Sequence, residues 1–409
     1  MADTRLAGAD FIRASACMIV LGHHLSQRMS WNGNLGWMEW MRVFVQTGGF
    51  GVSMFFVLSG YLLAQPFWAA LDAGKPLPSL RVYAMRRAAR ILPGFWLALT
   101  VTFALTITVF HFGLTPQLVL RYLSGVFLVA DWHWVTLFPV EVNGPLWSIS
   151  FEVTSYVLLP LGFIALFTLA SRVGIGWRTR LLWLGVIAIA LVAHTLFVRF
   201  VHPGSLQRGW DYGLIGGAKT WMPNFNPFGY FAMFATGALA AGVQAKLARY
   251  RNIAFDGLAL IALAAVIVLL GIQTQARGTE SYGLLLVPHN FPWFHLAIAA
   301  CLALIPSSLI VGRVLDNAVV RYLARISFGL YVWHYVVLEL VRITIAPDMD
   351  HGRMEDPLRM AWVSALIMGI SIAIAHTSFY LLENPVIQWA RGFEKRPQQA
   401  APTLSPAAG

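Results

Sequence analysis

The 409-residue chain is 58% apolar and only 11% charged, with a formal net charge of +11 and a mean hydropathy of +0.66. A soluble domain carries roughly a quarter charged residues, so this composition excludes a soluble enzyme and points to an all-α, polytopic transmembrane helical bundle. The basicity is not a nucleic-acid footprint, because 19 of the 29 Lys and Arg residues gather on the connections of one side.

A helix needs about 20 mainly apolar residues to cross a bilayer. The sequence offers about ten such stretches, at residues 10–28, 48–69, 91–112, 146–170, 181–200, 228–244, 255–273, 292–311, 327–345 and 360–382. The positive-inside rule then places the N- and C-termini in the cytoplasm of a multi-pass protein of the cytoplasmic (inner) membrane. Met1–Ala9 precedes a first span that holds Arg13, His23 and His24, a poor match to a removable signal core, so that helix is expected to stay as an anchor. Residues 1–395 read as one membrane domain, and 396–409, rich in Pro and Ala, as a disordered cytoplasmic tail.

In the first span, Asp10 and Arg13 form an i, i+3 pair, and His24 follows Arg13 by eleven positions. Three helical turns bring Arg13 and His24 within roughly 20° of one face, about 16 Å apart along the axis. Ionisable groups at membrane depth are costly and usually face a protein interior or a wet cavity. One reading has Arg13 hold an anionic donor near the inner surface while His24 serves as general base deeper in, a role that suits histidine because its unperturbed pKa lies near neutrality. The plainer reading makes Asp10–Arg13 a local ion pair and His24 a neighbour of the outer loop. His23 points about 100° away and reads as a spectator.

Trp31, Trp37 and Trp40 in the following outer segment suit an interfacial aromatic belt. The second span opens with Gly48, Gly49, Gly51 and Gly60, which permit close helix approach, while Ser53 and Ser59 can hydrogen-bond between helices. Arg87 and Arg90 share a face at the inner end of the third span. They fit plain positive-inside charge, or a phosphate clamp for a nucleotide-bearing donor such as coenzyme A. An apolar piece near 118–130 reads as a re-entrant or interfacial helix.

Further on, Trp147, Ser148 and Glu152 stand at the start of the fourth span. A lone carboxylate in hydrocarbon either protonates or finds a cation, so Glu152 is a structural ion-pair partner or a catalytic or acceptor-binding group. Ser327, Tyr331 and His334 recur at i, i+4 and i+7, the pattern of a cavity wall. His376 and Glu383 read as helix-packing polar groups. Cys17 and Cys301 both fall in apolar helices, so neither a disulfide framework nor a metal site is expected.

Taken together, these segments resemble the acyltransferase 3 family of integral membrane acyltransferases. The resemblance is carried by Arg13 and His24 with ten residues between them, FFVLSGYLL (55–63), Arg87 and Arg90 before Ile91 and Pro93, PLWSISFE (145–152), ISFGLYVWH (326–334) and ENP (383–385). They occur in the family order from residue 5 to about 390. The resemblance implies transfer of an acyl group, commonly acetyl, from cytoplasmic acyl-CoA to a hydroxyl of a carbohydrate or related acceptor at the extracytoplasmic side. It implies essential roles for Arg13 and His24 and donor contact by Arg87 and Arg90.

His24 and Glu152 are therefore the expected catalytic residues, and Asp10, Ser59, Trp147, Tyr331 and His334 the acceptor or oxyanion candidates. Acyl-CoA is expected as a co-substrate with no permanently bound cofactor; membrane lipid and a carbohydrate or glycolipid are the other partners. Two departures stand out. The family's leucine-aspartate-glycine-leucine-arginine opening reads Ala9-Asp10-Phe11-Ile12-Arg13, and its acidic pair after Trp-Ser-x-Ser is Glu152-Val153, with one carboxylate. The rival function is a glycolipid or small-molecule transporter or flippase, which would also bury polar groups around a midplane cavity. No internal repeat supports it.

Overall fold

The computed structural model describes residues 7–30, 47–200, 221–275 and 282–393. The tryptophans at 31, 37 and 40, most of the 201–227 loop and the 396–409 tail lie outside the described residues. In chain order the helices are α1 (Ala9–Ser26), α2 (Phe50–Asp72), α3 (Leu80–Thr108), α4 (Pro116–Val126), α5 (Trp147–Val173), α6 (Trp177–Phe200) and α7 (Pro227–Leu247). They continue as α8 (Ala254–Gln275), α9 (Trp293–Leu304), α10 (Val311–Leu315), α11 (Ala318–Thr344), α12 (Pro357–Ser378) and, after a π turn at Phe379–Glu383, α13 (Asn384–Gly392). No strand occurs among the described residues.

Eight of the expected spans are helices long and apolar enough to cross a bilayer. The other two are shorter or more polar. α1 has 18 residues and carries Asp10, Arg13, His23 and His24, and α9 has 12 residues extended by a 3-10 turn to Ser307. The 118–130 piece is helical as far as Val126, in α4, whose 11 residues reach about 16 Å, well short of the roughly 30 Å hydrocarbon core. It buries Leu118 and Arg121 and exposes Leu120 and Leu123.

Burial separates the centre from the rim. The apolar windows of α2, α7 and α11 are 72%, 78% and 72% buried, against 17% for α6 and 28% for α8. α2 and α7 pack most closely. A Cβ at Gly60 would strike the Phe234 carbonyl, and one at Gly237 the Val57 carbonyl, so only hydrogen fits at either crossing.

α1 and α11 lie side by side and run in the same direction. Their early residues, Arg13 and Ser327, meet one cavity, while Arg28 and Arg342 at their far ends meet another. The far end is stapled by backbone hydrogen bonds to the 346–356 loop: Ser30 N–H to Met354 O (2.7 Å), Met354 N–H to Arg28 O (3.1 Å) and Gly352 N–H to Gln27 O (2.9 Å). The 127–143 connection is equally fixed. Arg121 pairs with Glu141 and donates Nε–H to Phe138 O (2.6 Å), and Asn143 donates to Val332 O of α11 (2.9 Å).

Candidate active site

Five helices meet around one cavity, with about 710 Å³ of space between its walls including the open mouth. α1 contributes Arg13, α2 Ser59, α3 Arg87 and Arg90, α5 Ser148, Glu152 and Tyr156, and α11 Ser327 and Tyr331. Helical periodicity explains why residues far apart in sequence converge here. Arg87 and Arg90 share a face of α3, Ser148, Glu152 and Tyr156 succeed one another by whole turns of α5, and Ser327 and Tyr331 do so on α11.

Three guanidinium groups face one carboxylate in this space, so its field favours an anion. Glu152 is held by hydroxyls: Ser59 Oγ donates to it at 2.9 Å, and the Tyr156 hydroxyl donates to the same oxygen. Arg13 stands 4.0 Å from Asp10, a loose pairing that leaves its fork largely available. At the inner wall the Tyr331 hydroxyl donates to Pro145 O (2.9 Å) and lies 2.7 Å from Ser148 Oγ.

His24 does not line this cavity. It lies beyond Tyr331, where its ring centroid is 5.3 Å from that of His334 and 5.0 Å from that of Tyr335, and His334 is 6.0 Å from Tyr331. The neighbouring groups assign the tautomers. Gln27 Oε1, which can only accept, lies 3.3 Å from His24 Nδ1, so Nδ1 carries the hydrogen and Nε2 keeps a lone pair. The same amide donates from Nε2 to His23 Nε2 (3.2 Å). The Tyr331 carbonyl likewise takes the Nδ1–H of His334 at 2.7 Å, and His334 Nε2 is buried with no hydrogen-bond partner among the described residues. Two neighbouring imidazoles thus each offer an unprotonated Nε2, the form in which a general base accepts a proton.

The sequence matches the family described as "Acyltransferase domain" over residues 6–377. The chain belongs to that family. "Putative peptidoglycan O-acetyltransferase YrhL" of Bacillus subtilis is 24% identical over 411 residues, covering 96% of this chain and 56% of that protein. "Peptidoglycan O-acetyltransferase OatA" of Listeria monocytogenes is 23% identical, with 95% and 57% covered. "Putative O-acetyltransferase SACOL0978" of Staphylococcus aureus is 21% identical, with 93% and 57% covered. This chain therefore spans little more than half the length of these relatives. No solved structure gives a significant match.

For this member of the acyltransferase family, the structure gathers Arg13, Ser59, Arg87, Arg90, Glu152 and Tyr331 into one cavity and sets His24 and His334 together just beyond it. Asp10 sits outside as the partner of Arg13. Trp147 is turned elsewhere, its ring packed with Phe151, Phe225 and Tyr230. Glu152 stands in the arginine cavity, so the group beside His24 is His334. Ser53 is bonded to its own helix at Phe50 O, and His376 pairs with the Tyr322 hydroxyl, both in packing roles.

Sequence reasoning missed Tyr156, one turn after Glu152, and Gln27, three residues after His24. It also missed Tyr335, one turn after Tyr331. All three extend stripes already visible in the sequence.

Proposed function

We propose that this protein is an integral membrane O-acyltransferase that moves an acyl group, acetyl in the names of its relatives, from acyl-CoA to a carbohydrate hydroxyl across the bilayer. The observation that carries the reading is the arginine cavity backed by a pair of imidazoles with unprotonated Nε2 atoms. With the N-terminus cytoplasmic, the mouth near Arg87 and Arg90 faces the compartment that supplies acyl-CoA. The nucleotide of CoA is too polar to enter hydrocarbon; its phosphates engage the guanidinium groups. The thin pantetheine arm then carries the thioester inward toward Tyr331.

The reaction follows from proton positions. As the acceptor oxygen attacks the thioester carbonyl, its proton passes to His24 Nε2. The tetrahedral adduct collapses with cleavage of the C–S bond, and the departing CoA sulfur takes that proton back from the imidazolium. Gln27 keeps the lone pair on Nε2 by holding Nδ1–H. Tyr331 commits its hydrogen to Pro145 O in the resting state, so it serves as an oxyanion donor only after giving up that bond. His334, whose Nε2 is also unprotonated, stands next in line to His24 for the same proton.

The experiment is acyl transfer by the purified protein in nanodiscs, with radiolabelled acetyl-CoA and a panel of oligosaccharides. An ester-linked acetyl group on the sugar, located by mass spectrometry, is the expected product. Saturable sugar or glycolipid translocation without any acetylated product would instead make the protein a transporter.

A further inference from the structure

A second cavity opens at the far ends of α1 and α11, with about 460 Å³ of space including its mouth. α11 connects the two. Tyr331 faces the arginine cavity, and on the same stripe Tyr335, Glu339 and Arg342 face the second one. α1 makes the same journey from Arg13 to Ser26, about 20 Å of helical rise, and the turn after it carries Arg28. Tyr335 belongs to both halves of the path: its ring centroid is 5.0 Å from that of His24, and its hydroxyl lines the far cavity.

This far cavity is charged: Glu141, Glu339 and Asp350 meet Arg28 and Arg342 in its wall, and Arg121 behind the wall pairs with Glu141, so three carboxylates face three guanidinium groups. Arg28, only 1% exposed, donates to Glu339 Oε1 (2.6 Å), to the Tyr335 hydroxyl (3.0 Å) and to His351 Nδ1 (3.2 Å). Arg342 donates to Glu339 Oε2 (2.8 Å) and Asp350 Oδ1 (3.1 Å). Among the described residues the buried Nε–H of Arg28 has no hydrogen-bond partner, a costly state for a charged donor in a cavity wall. Carboxylate and guanidinium groups beside a tyrosine ring supply both acceptors and donors, which is what a polyol needs. A balanced set of charges does not select a strongly ionic ligand.

We infer that this cavity is the acceptor subsite, binding a neutral carbohydrate through Arg28, Glu339, Arg342 and Asp350 and presenting one hydroxyl past Tyr335 to His24. The assignment rests on the acyl-transfer reading for its role and on the cavity's own chemistry for its ligand. The stapling of the 346–356 loop to the end of α1 keeps Asp350 and His351 over the buried Arg28.

The test uses chitotetraose carrying a diazirine, photolysed with the purified chain in nanodiscs and mapped by mass spectrometry. Labelling is expected at 335–351, competed by unlabelled chitotetraose and reduced at least fivefold in Arg342→Gln and in Asp350→Asn. Both substitutions lie at partly exposed positions, and monodisperse elution of each variant controls for folding. Labelling elsewhere, labelling insensitive to both variants, or no saturable labelling overturns the subsite. Acetyl transfer from acetyl-CoA to chitotetraose on the same samples separates the two ideas. Labelling at 335–351 without transfer keeps the subsite and removes the acyltransferase reading. Transfer without labelling there does the reverse.

Discussion

Replacing Arg87 or Arg90 by Gln tests the donor side of the account. The cavity wall holds three guanidinium groups and one carboxylate, and that carboxylate, Glu152, is already occupied by two hydroxyl donors. A bound phosphate therefore has the arginines as its main partners. A hydrogen bond to a charged group contributes roughly 1.5–3 kcal/mol, which converts to about a 10- to 150-fold loss of affinity for each arginine removed. The double variant should lose more than either single one but less than their product, because neighbouring charges couple. Arg90→Lys keeps the charge and loses the planar fork, so it should fall between wild type and Arg90→Gln. The assay is calorimetric titration of acetyl-CoA into nanodisc-embedded protein, repeated at high salt, where the wild-type advantage should shrink as screening strengthens. Affinities within twofold of wild type in both single variants would reduce these arginines to topology charges and refute the donor site.

Gln27→Leu removes the acceptor that holds Nδ1–H of His24, a bond of about 0.5–1.5 kcal/mol. The turnover number should fall about two- to tenfold while acetyl-CoA affinity stays at its wild-type value; an unchanged turnover would mean the tautomer is set by something else. Gly237→Val drives a side chain into the Val57 carbonyl at the α2–α7 crossing, whereas Gly257→Ala meets nothing within 4 Å. The first should abolish or severely reduce folded yield and the second leave the melting temperature level or slightly higher; equal behaviour of the two would contradict the close crossing. Asp131, outside the spans, is pushed up from 3.8 to about 6 by burial, opposed in part by the Thr154 hydroxyl that donates to it. Its folded form holds a proton that the unfolded chain releases between those values, so its penalty grows as pH rises from about 3.8 to 6 and persists above. Asp131→Asn should therefore stabilise the protein at pH 7 by up to about 3 kcal/mol, the equivalent of that displacement. The gain should shrink toward pH 4, and an equal melting-temperature difference at both pH values would contradict it.

Much of the bundle is legible because a bilayer demands long apolar runs, and eight of the ten stretches became helices that satisfy that demand. α1 and α9 are legible less by hydropathy than by position. α1 is polar because Arg13 faces the arginine cavity and His24 packs against His334 and Tyr335, and α9 is short because it ends in a 3-10 turn at Ser307. The arginine cavity was within reach because each helix contributes residues a whole turn apart. The far cavity was not. Arg28 and Glu339 are separated by 311 positions, and no local spacing pairs them. The α11 stripe itself continues from Tyr331 through Tyr335 to Glu339 and Arg342 in plain sight, so the polar period ran further than the motif ending at His334. Trp147 misled because an aromatic beside a polar motif looks like a sugar platform, whereas four rings had room to pack there.

His24→Ala tests the central claim most directly, by single-turnover transfer of labelled acetyl from acetyl-CoA to a carbohydrate acceptor in nanodiscs. Loss of a general base costs about 10²–10⁴-fold, and transfer should drop by at least the lower figure while acetyl-CoA still binds at wild-type affinity. Turnover within threefold of wild type would contradict the assignment of His24 as the base and shift that role to His334.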